Sequence, residues 1–188
     1  MAETLEPGTG IIYMKVGMHA QEPWEEILER KQREIRDAGV SFWGYGGGTC
    51  HPLLRVQPFV KERIATGHAI YLAMKPMLSK HSAPQTPAEE YSDDGVTWHS
   101  IPEGVNVLGS RYALVLDRIE SSDIDLDLGQ ATVAAGLKRG VAASTYVRGR
   151  VDKGCFIIEP ARVSQDEVKP EHISLIATLR EPYAVLLR

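Results

Sequence analysis

Val40-Ser41-Phe42-Trp43-Gly44-Tyr45-Gly46-Gly47-Gly48-Thr49-Cys50-His51-Pro52 is the stretch from which the rest of this chain is best read. It begins as a strand, because Val40, Phe42 and Trp43 are β-branched or aromatic. Four glycines follow within five positions, broken only by Tyr45, and Pro52 then stands where a helix favours proline, at its first position. A strand, a glycine loop and a helix start together can bring backbone N–H groups against an anion or a polar ring. Glycine permits positive φ and leaves no Cβ in the way of a ligand. The candidate ligand-binding set is therefore Trp43, Tyr45, Gly46, Gly47, Gly48, Thr49, Cys50 and His51, with the two aromatic rings offered as stacking faces. The run has neither the lysine of a P-loop nor the spacing of a dinucleotide fingerprint. A tight turn beside a core tryptophan is the plainer alternative.

Outward from this loop, the preceding segment reads as strand, helix, strand. Gly10 to Met18 is a largely apolar strand suited to a central position. Pro23 opens a helix with Trp24, Ile27, Leu28, Ile35 and Ala38 on one face and Glu25, Glu29, Arg30, Arg33 and Glu34 on the other. Gly39 stops it. If the first strand and the Trp43 strand pair in parallel, their ends share one side of the sheet, and His19 joins the glycine loop in a crevice. Residues 52–66 predict a second helix interrupted by Pro58, and His68 to Leu78 another buried strand.

Residues 79–110 are rich in proline, serine and glycine and read as a loop-rich insertion with a short hairpin around Val96 to Ser100. Trp98 and His99 could cover the glycine loop as a lid or simply pin the insertion down. Beyond Arg111 the pattern is β: Tyr112 to Leu116, an acidic–apolar alternation over Asp123 to Leu128, strands at Val141 to Arg150 and Cys155 to Ile158, and a hairpin of Ile173 to Leu179 with Tyr183 to Leu187. The fold class is α+β, with a mixed curved sheet or partly closed β-barrel of about six to eight strands and two main helices in the N-terminal half. Residues 1–188 read as a single domain.

Hydrophobic residues make up 43% and charged residues 24%, an ordinary globular balance. No apolar run has the length of a membrane span, and the N-terminus Met-Ala-Glu-Thr-Leu-Glu has no signal-peptide pattern, so the expectation is a cytoplasmic protein without membrane partners. Two cysteines 105 positions apart, with no zinc spacing around them, predict free thiols, no metal and no cofactor. The net charge of −4 disfavours non-specific duplex binding. Carboxylates at Asp123, Asp125 and Asp127 could hold a divalent cation, although a solvated, charge-protected edge accounts for them better. Lys138, Arg139, Arg148, Arg150 and Lys153 offer phosphate contacts or a solvated strand face.

The opening strand Ile11 to Val16, the helix, Phe42-Trp43-Gly44 before a second helix, and the strand His68 to Leu72 ahead of a β-rich remainder resemble, in their order, the PUA-like superfamily, particularly its EVE and ASCH branches. The resemblance implies a small curved barrel that binds RNA or a modified base in an aromatic-lined pocket. The leading expectation is a binding module for a nucleotide, a nucleotide-derived signal or a single modified base. Its alternatives are an enzyme acting on such a ligand, with Cys50 as nucleophile or His51 as acid/base, and a protein-binding inhibitor or adaptor that uses the insertion. Homo-oligomerisation is left open.

Overall fold

The computed structural model describes residues 5–17, 22–46, 48–78, 86–148 and 151–188. Strand β1 (Gly10–Gly17) is followed by helix α1 (Trp24–Ala38) and the four-residue strand β2 (Ser41–Gly44). A π-helical turn, Pro52–Val56, runs directly into α2 (Gln57–Ala65), which leads to β3 (Ile70–Met77). The 79–110 segment contributes β4 (Glu90–Ser92) and β5 (His99–Ser100). Then come β6 (Tyr112–Leu126), β7 (Ala131–Val133), the single-turn helix α3 (Ala143–Tyr146), β8 (Lys153–Ile158) and β9 (Glu171–Leu187).

The strands form one mixed, open sheet of nine, in the order β2-β6-β9-β3-β1-β8-β7, with β4 pairing with β9 and carrying β5. The α+β class, the mixed sheet and the two main helices in the N-terminal half are as the sequence predicts. The sheet does not close into a barrel. Among the described residues its only parallel pair is β1 with β3, in register from Gly10 opposite Ile70 to Gly17 opposite Met77. The expected parallel partnership of β1 with β2 does not form. β3 offers β1 eight consecutive partners, whereas β2 ends after four residues and runs antiparallel along β6.

Alternation along the strands sorts the core. On β1, Ile12 and Met14 point into the cluster under α1 and α2, together with Trp43, Leu72, Leu114 and Leu175. Ile11 and Tyr13 point the other way, onto Phe156, Val133 and Leu128. Phe42 likewise faces away from Trp43, into a third cluster with Val107, Val115 and Val185 that anchors the insertion. Gly39 terminates α1 in the left-handed conformation (φ 73°), its N–H donating to the Ile35 carbonyl at 2.8 Å.

Four other expectations change. Residues 112–126 give one fifteen-residue strand, because the alternating segment continues the pairing of β6 with β9 after register shifts. The expected C-terminal hairpin is the single strand β9, paired with β6 on both sides of Glu181-Pro182. In place of a strand at 141–150, the small residues Ala143-Ser144-Thr145 form α3 and bring Tyr146 edge-on to Phe156, with ring centroids 6.1 Å apart. Within α1, Glu34 is buried rather than solvated, because Lys31 is buried beside it.

Candidate functional site

β1 and β2 are separated by three strands in the sheet order, yet their C-terminal ends line one cleft of about 350 Å³. The sheet curls enough to bring them together. Met14 to Gly17 form one side, Phe42, Trp43, Gly44 and Gly46 another, and Asn106 to Ser110 of the insertion a third. Glu22, Arg30 and Lys31 close it from α1 and the residues just before that helix, and Asp152 and Lys153 from the start of β8.

The polar groups of the cleft are held by neighbours. Arg30 Nη2 meets Glu22 Oε2 at 2.8 Å. Lys31, only 4% exposed, donates to Glu34 Oε2 (2.8 Å), the Phe42 carbonyl (2.7 Å) and the Asn106 carbonyl (2.8 Å). It thereby fastens helix, β2 and insertion at one point. Burial lowers its ammonium pKa to about 8, opposed by the Glu34 carboxylate. Asp152 accepts from Thr49 Oγ1 at 3.0 Å and from Lys153 Nζ at 2.9 Å, and its carbonyl accepts the Lys15 N–H at 2.7 Å.

The glycine loop divides between the cleft and the layer beneath it. Trp43 and Gly46 line the cleft, but Trp43 is only 5% exposed and belongs mainly to the core. Tyr45 and Cys50 are buried below, with Lys153 Nζ 5.4 Å from the centre of the Tyr45 ring. Among the described residues the Tyr45 hydroxyl has no hydrogen-bond partner, and burial pushes its pKa up. Thr49 serves through Asp152. Gly48 is exposed, with open space around its Cα. His19 and Gly47 lie outside the described residues.

The described glycines of the loop do not act through positive φ. Gly44, Gly46 and Gly48 all avoid the left-handed region. Gly44 is required for close approach, since a Cβ there would stand 2.7 Å from Ser110 Oγ. At Gly46 the nearest atom to an added Cβ is Lys153 Nζ, 3.9 Å away.

His51 is occupied by the helix start. Its Nδ1 accepts the Leu54 N–H at 3.3 Å, so the neutral ring carries its proton on Nε2, which donates to the Tyr112 hydroxyl at 3.2 Å. The first helical turn is thus capped from within, and the two His51 ring nitrogens face Leu54 N–H and the Tyr112 hydroxyl.

Sequence reasoning missed most of the cleft's charged wall. Lys153 was legible only as one of a dispersed set of basic residues offering phosphate contacts, Asp152 carried no signal of its own, and Asn106 to Ser110 read only as insertion. Trp98 does not act as a lid: the Arg188 guanidinium covers its ring at 4.0 Å, and the insertion meets the cleft through Asn106 to Ser110 instead. Among the described residues of the basic run, Lys153 alone lines the cleft. Arg148 pairs with Asp166 at 2.5 Å, and Arg150 lies outside the described residues. The acidic alternation is spent locally, with Asp125 3.4 Å from His172 and Asp127 2.6 Å from Arg162. Among the described residues no group of three or more His, Cys, Asp or Glu is disposed to hold a metal, and no helix is long and apolar enough to cross a membrane. No protein-family model, no curated protein and no solved structure matches this chain.

Proposed function

We propose that the cleft at the glycine loop receives a small nucleotide-like ligand, such as a nucleotide, a nucleotide-derived signal or a single modified base, and that the chain works as a binding module. The observation that carries this reading is the convergence, in one cleft of about 350 Å³, of an apolar wall (Met14, Val16, Trp43), exposed backbone at Gly46, and the cations Lys15, Arg30 and Lys153. The volume falls within the range of small-molecule sites. The apolar wall suits the faces of a ring. The lysines suit an anionic group, with Lys153 bringing its carboxylate partner Asp152 as an acceptor for ring N–H groups.

Cys50 and His51 do no chemistry on the ligand in this reading: the Cys50 sulfur faces Cys155, and His51 caps a helix. The PUA-like resemblance is retained as part of the proposal, with an open sheet where that superfamily has a barrel. Thermal denaturation with nucleoside monophosphates and nucleosides tests the module directly. A ligand at 100 times its dissociation constant adds about 2.7 kcal/mol, which for a chain of this size raises Tm by roughly 5–10 °C. No shift with any of these compounds would count against the proposal.

A further inference from the structure

Cys50 and Cys155 are 105 positions apart in the chain, yet their Sγ atoms lie 3.6 Å apart. Cys155 sits on β8 opposite Ile12 of β1, and Cys50 closes the glycine loop immediately before the His51 cap. Both are buried, at 1% and 3% exposure respectively. We propose that these two residues form a redox pair that closes reversibly to a disulfide, fastening the glycine loop to β8 two residues beyond Lys153. The inference rests on the two sulfurs and their placement, and it holds whether or not the cleft binds a nucleotide.

The two thiols take different roles. The hydrogen bond between the two sulfurs holds the Cys50 pKa below its ordinary value against the effect of burial, aided by the positive charge of Arg55 and Lys153. Cys155 is pushed the other way by the same hydrogen bond and by burial. Cys50, on the loop, is the attacking sulfur, and Cys155, held within β8, is the resolving thiol. With hydrogen peroxide as oxidant, an S–O bond forms on Cys50 as the O–O bond breaks, and the departing hydroxide takes up a proton to leave as water. The Cys155 sulfur then attacks the Cys50 sulfenic acid. An S–S bond forms, the S–O bond breaks, and the second water leaves with the Cys155 proton. Two thiols lose two electrons and two protons, and one peroxide becomes two waters. A dithiol reductant reverses the closure by exchange.

Closure draws the sulfurs together by roughly 1.5 Å, a movement within the reach of one loop. Because the resolving sulfur already touches the attacking one, ring closure competes with further oxidation of Cys50. The fastened loop includes Gly46 on the cleft rim, and β8 begins at Lys153 on the same rim. Oxidation is thus expected to restrain that side of the cleft.

The test treats the full chain with hydrogen peroxide, alkylates remaining thiols, and maps peptides without reduction. The expected result is a Cys50–Cys155 linked peptide in monomeric protein, an intact mass lower by about 2 Da, full reversal by dithiothreitol, and slower amide exchange across Tyr45 to His51. In Cys155→Ala protein, Cys50 should instead proceed to sulfinic acid. Should that variant fail to fold, the wild-type map decides alone. Cys50 sulfinic acid without a link in the wild type, a link between two chains, or two thiols still free after treatment would each overturn the inference.

Discussion

The Thr49 hydroxyl donates to Oδ1 of Asp152 at 3.0 Å, and this bond ties the glycine loop to the entrance of β8. Lys153 holds the other carboxylate oxygen, and the Asp152 carbonyl binds β1 through Lys15 N–H. One aspartate thus joins three walls of the cleft. Burial acts to raise its pKa, but the hydrogen bonds from Lys153 and Thr49 outweigh it and hold the carboxyl below its ordinary 3.8.

The sign of the acid response follows. A carboxyl with a depressed folded-state pKa contributes stability that is present above its unfolded value and is lost as pH falls through the folded one. Asp152→Asn should cost about 1–2 kcal/mol at pH 7, since the pair is partly open to solvent. The deficit should shrink below about pH 4, where the wild-type carboxylate also becomes protonated. Urea denaturation at pH 7 and pH 3 measures both. An equal deficit at the two pH values would deny Asp152 its charged role.

Lys31 and Glu34 form the buried ion pair of α1, with side chains 5% and 2% exposed. Removing one partner strands the other's charge, so Lys31→Met should destabilise the fold by about 3–5 kcal/mol. Adding Glu34→Gln should recover part of that loss. The lysine's folded-state pKa of about 8 lies below its ordinary 10.5. Between those values the unfolded chain binds the extra proton, so this group's contribution to stability rises with pH across the window and is lost as pH falls through 8. A ¹⁵N titration of the Lys31 ammonium with its midpoint near 10.5 would contradict this environment.

Gly44 and Gly46 should respond oppositely to an added methyl group. A Cβ at Gly44 crowds Ser110 Oγ at 2.7 Å and Ser110 Cβ at 3.3 Å, so Gly44→Ala should cost about 1–3 kcal/mol. Ser110→Gly in the same chain should restore most of it. Gly46→Ala meets only Lys153 Nζ at 3.9 Å and should stay within about 0.5 kcal/mol of wild type. Chemical denaturation of the three variants decides. Equal losses at both glycines would mean that the loop is packed differently.

What the sequence disclosed depends on how local each signal is. The apolar run of β1, the α1 face and its Gly39 stop are set by neighbours within one element, and they were legible. The β1–β3 pairing was not, because short-range pattern cannot tell β2 from β3 as the parallel partner; only the length of the ladder separates them. Trp43 beside glycines read equally well as a stacking platform and as core, and at 5% exposure it is chiefly core. His51 was placed correctly at a helix start, but its engagement with Tyr112 joins residues 61 positions apart. The charged wall of Lys15, Arg30, Asp152 and Lys153 comes from three distant segments and has no motif of its own.

Titration calorimetry of nucleoside monophosphates and the parent nucleosides into wild-type and Gly46→Leu protein tests the central claim most directly. The leucine side chain would project from the cleft rim beside Lys153 while leaving the core untouched. At least one of these compounds should bind the wild type at a single saturable site, and Gly46→Leu should weaken that binding by more than about tenfold, or 1.4 kcal/mol, with Tm little changed. Binding that is absent from the wild type, or unaltered in a folded Gly46→Leu protein, would contradict the account.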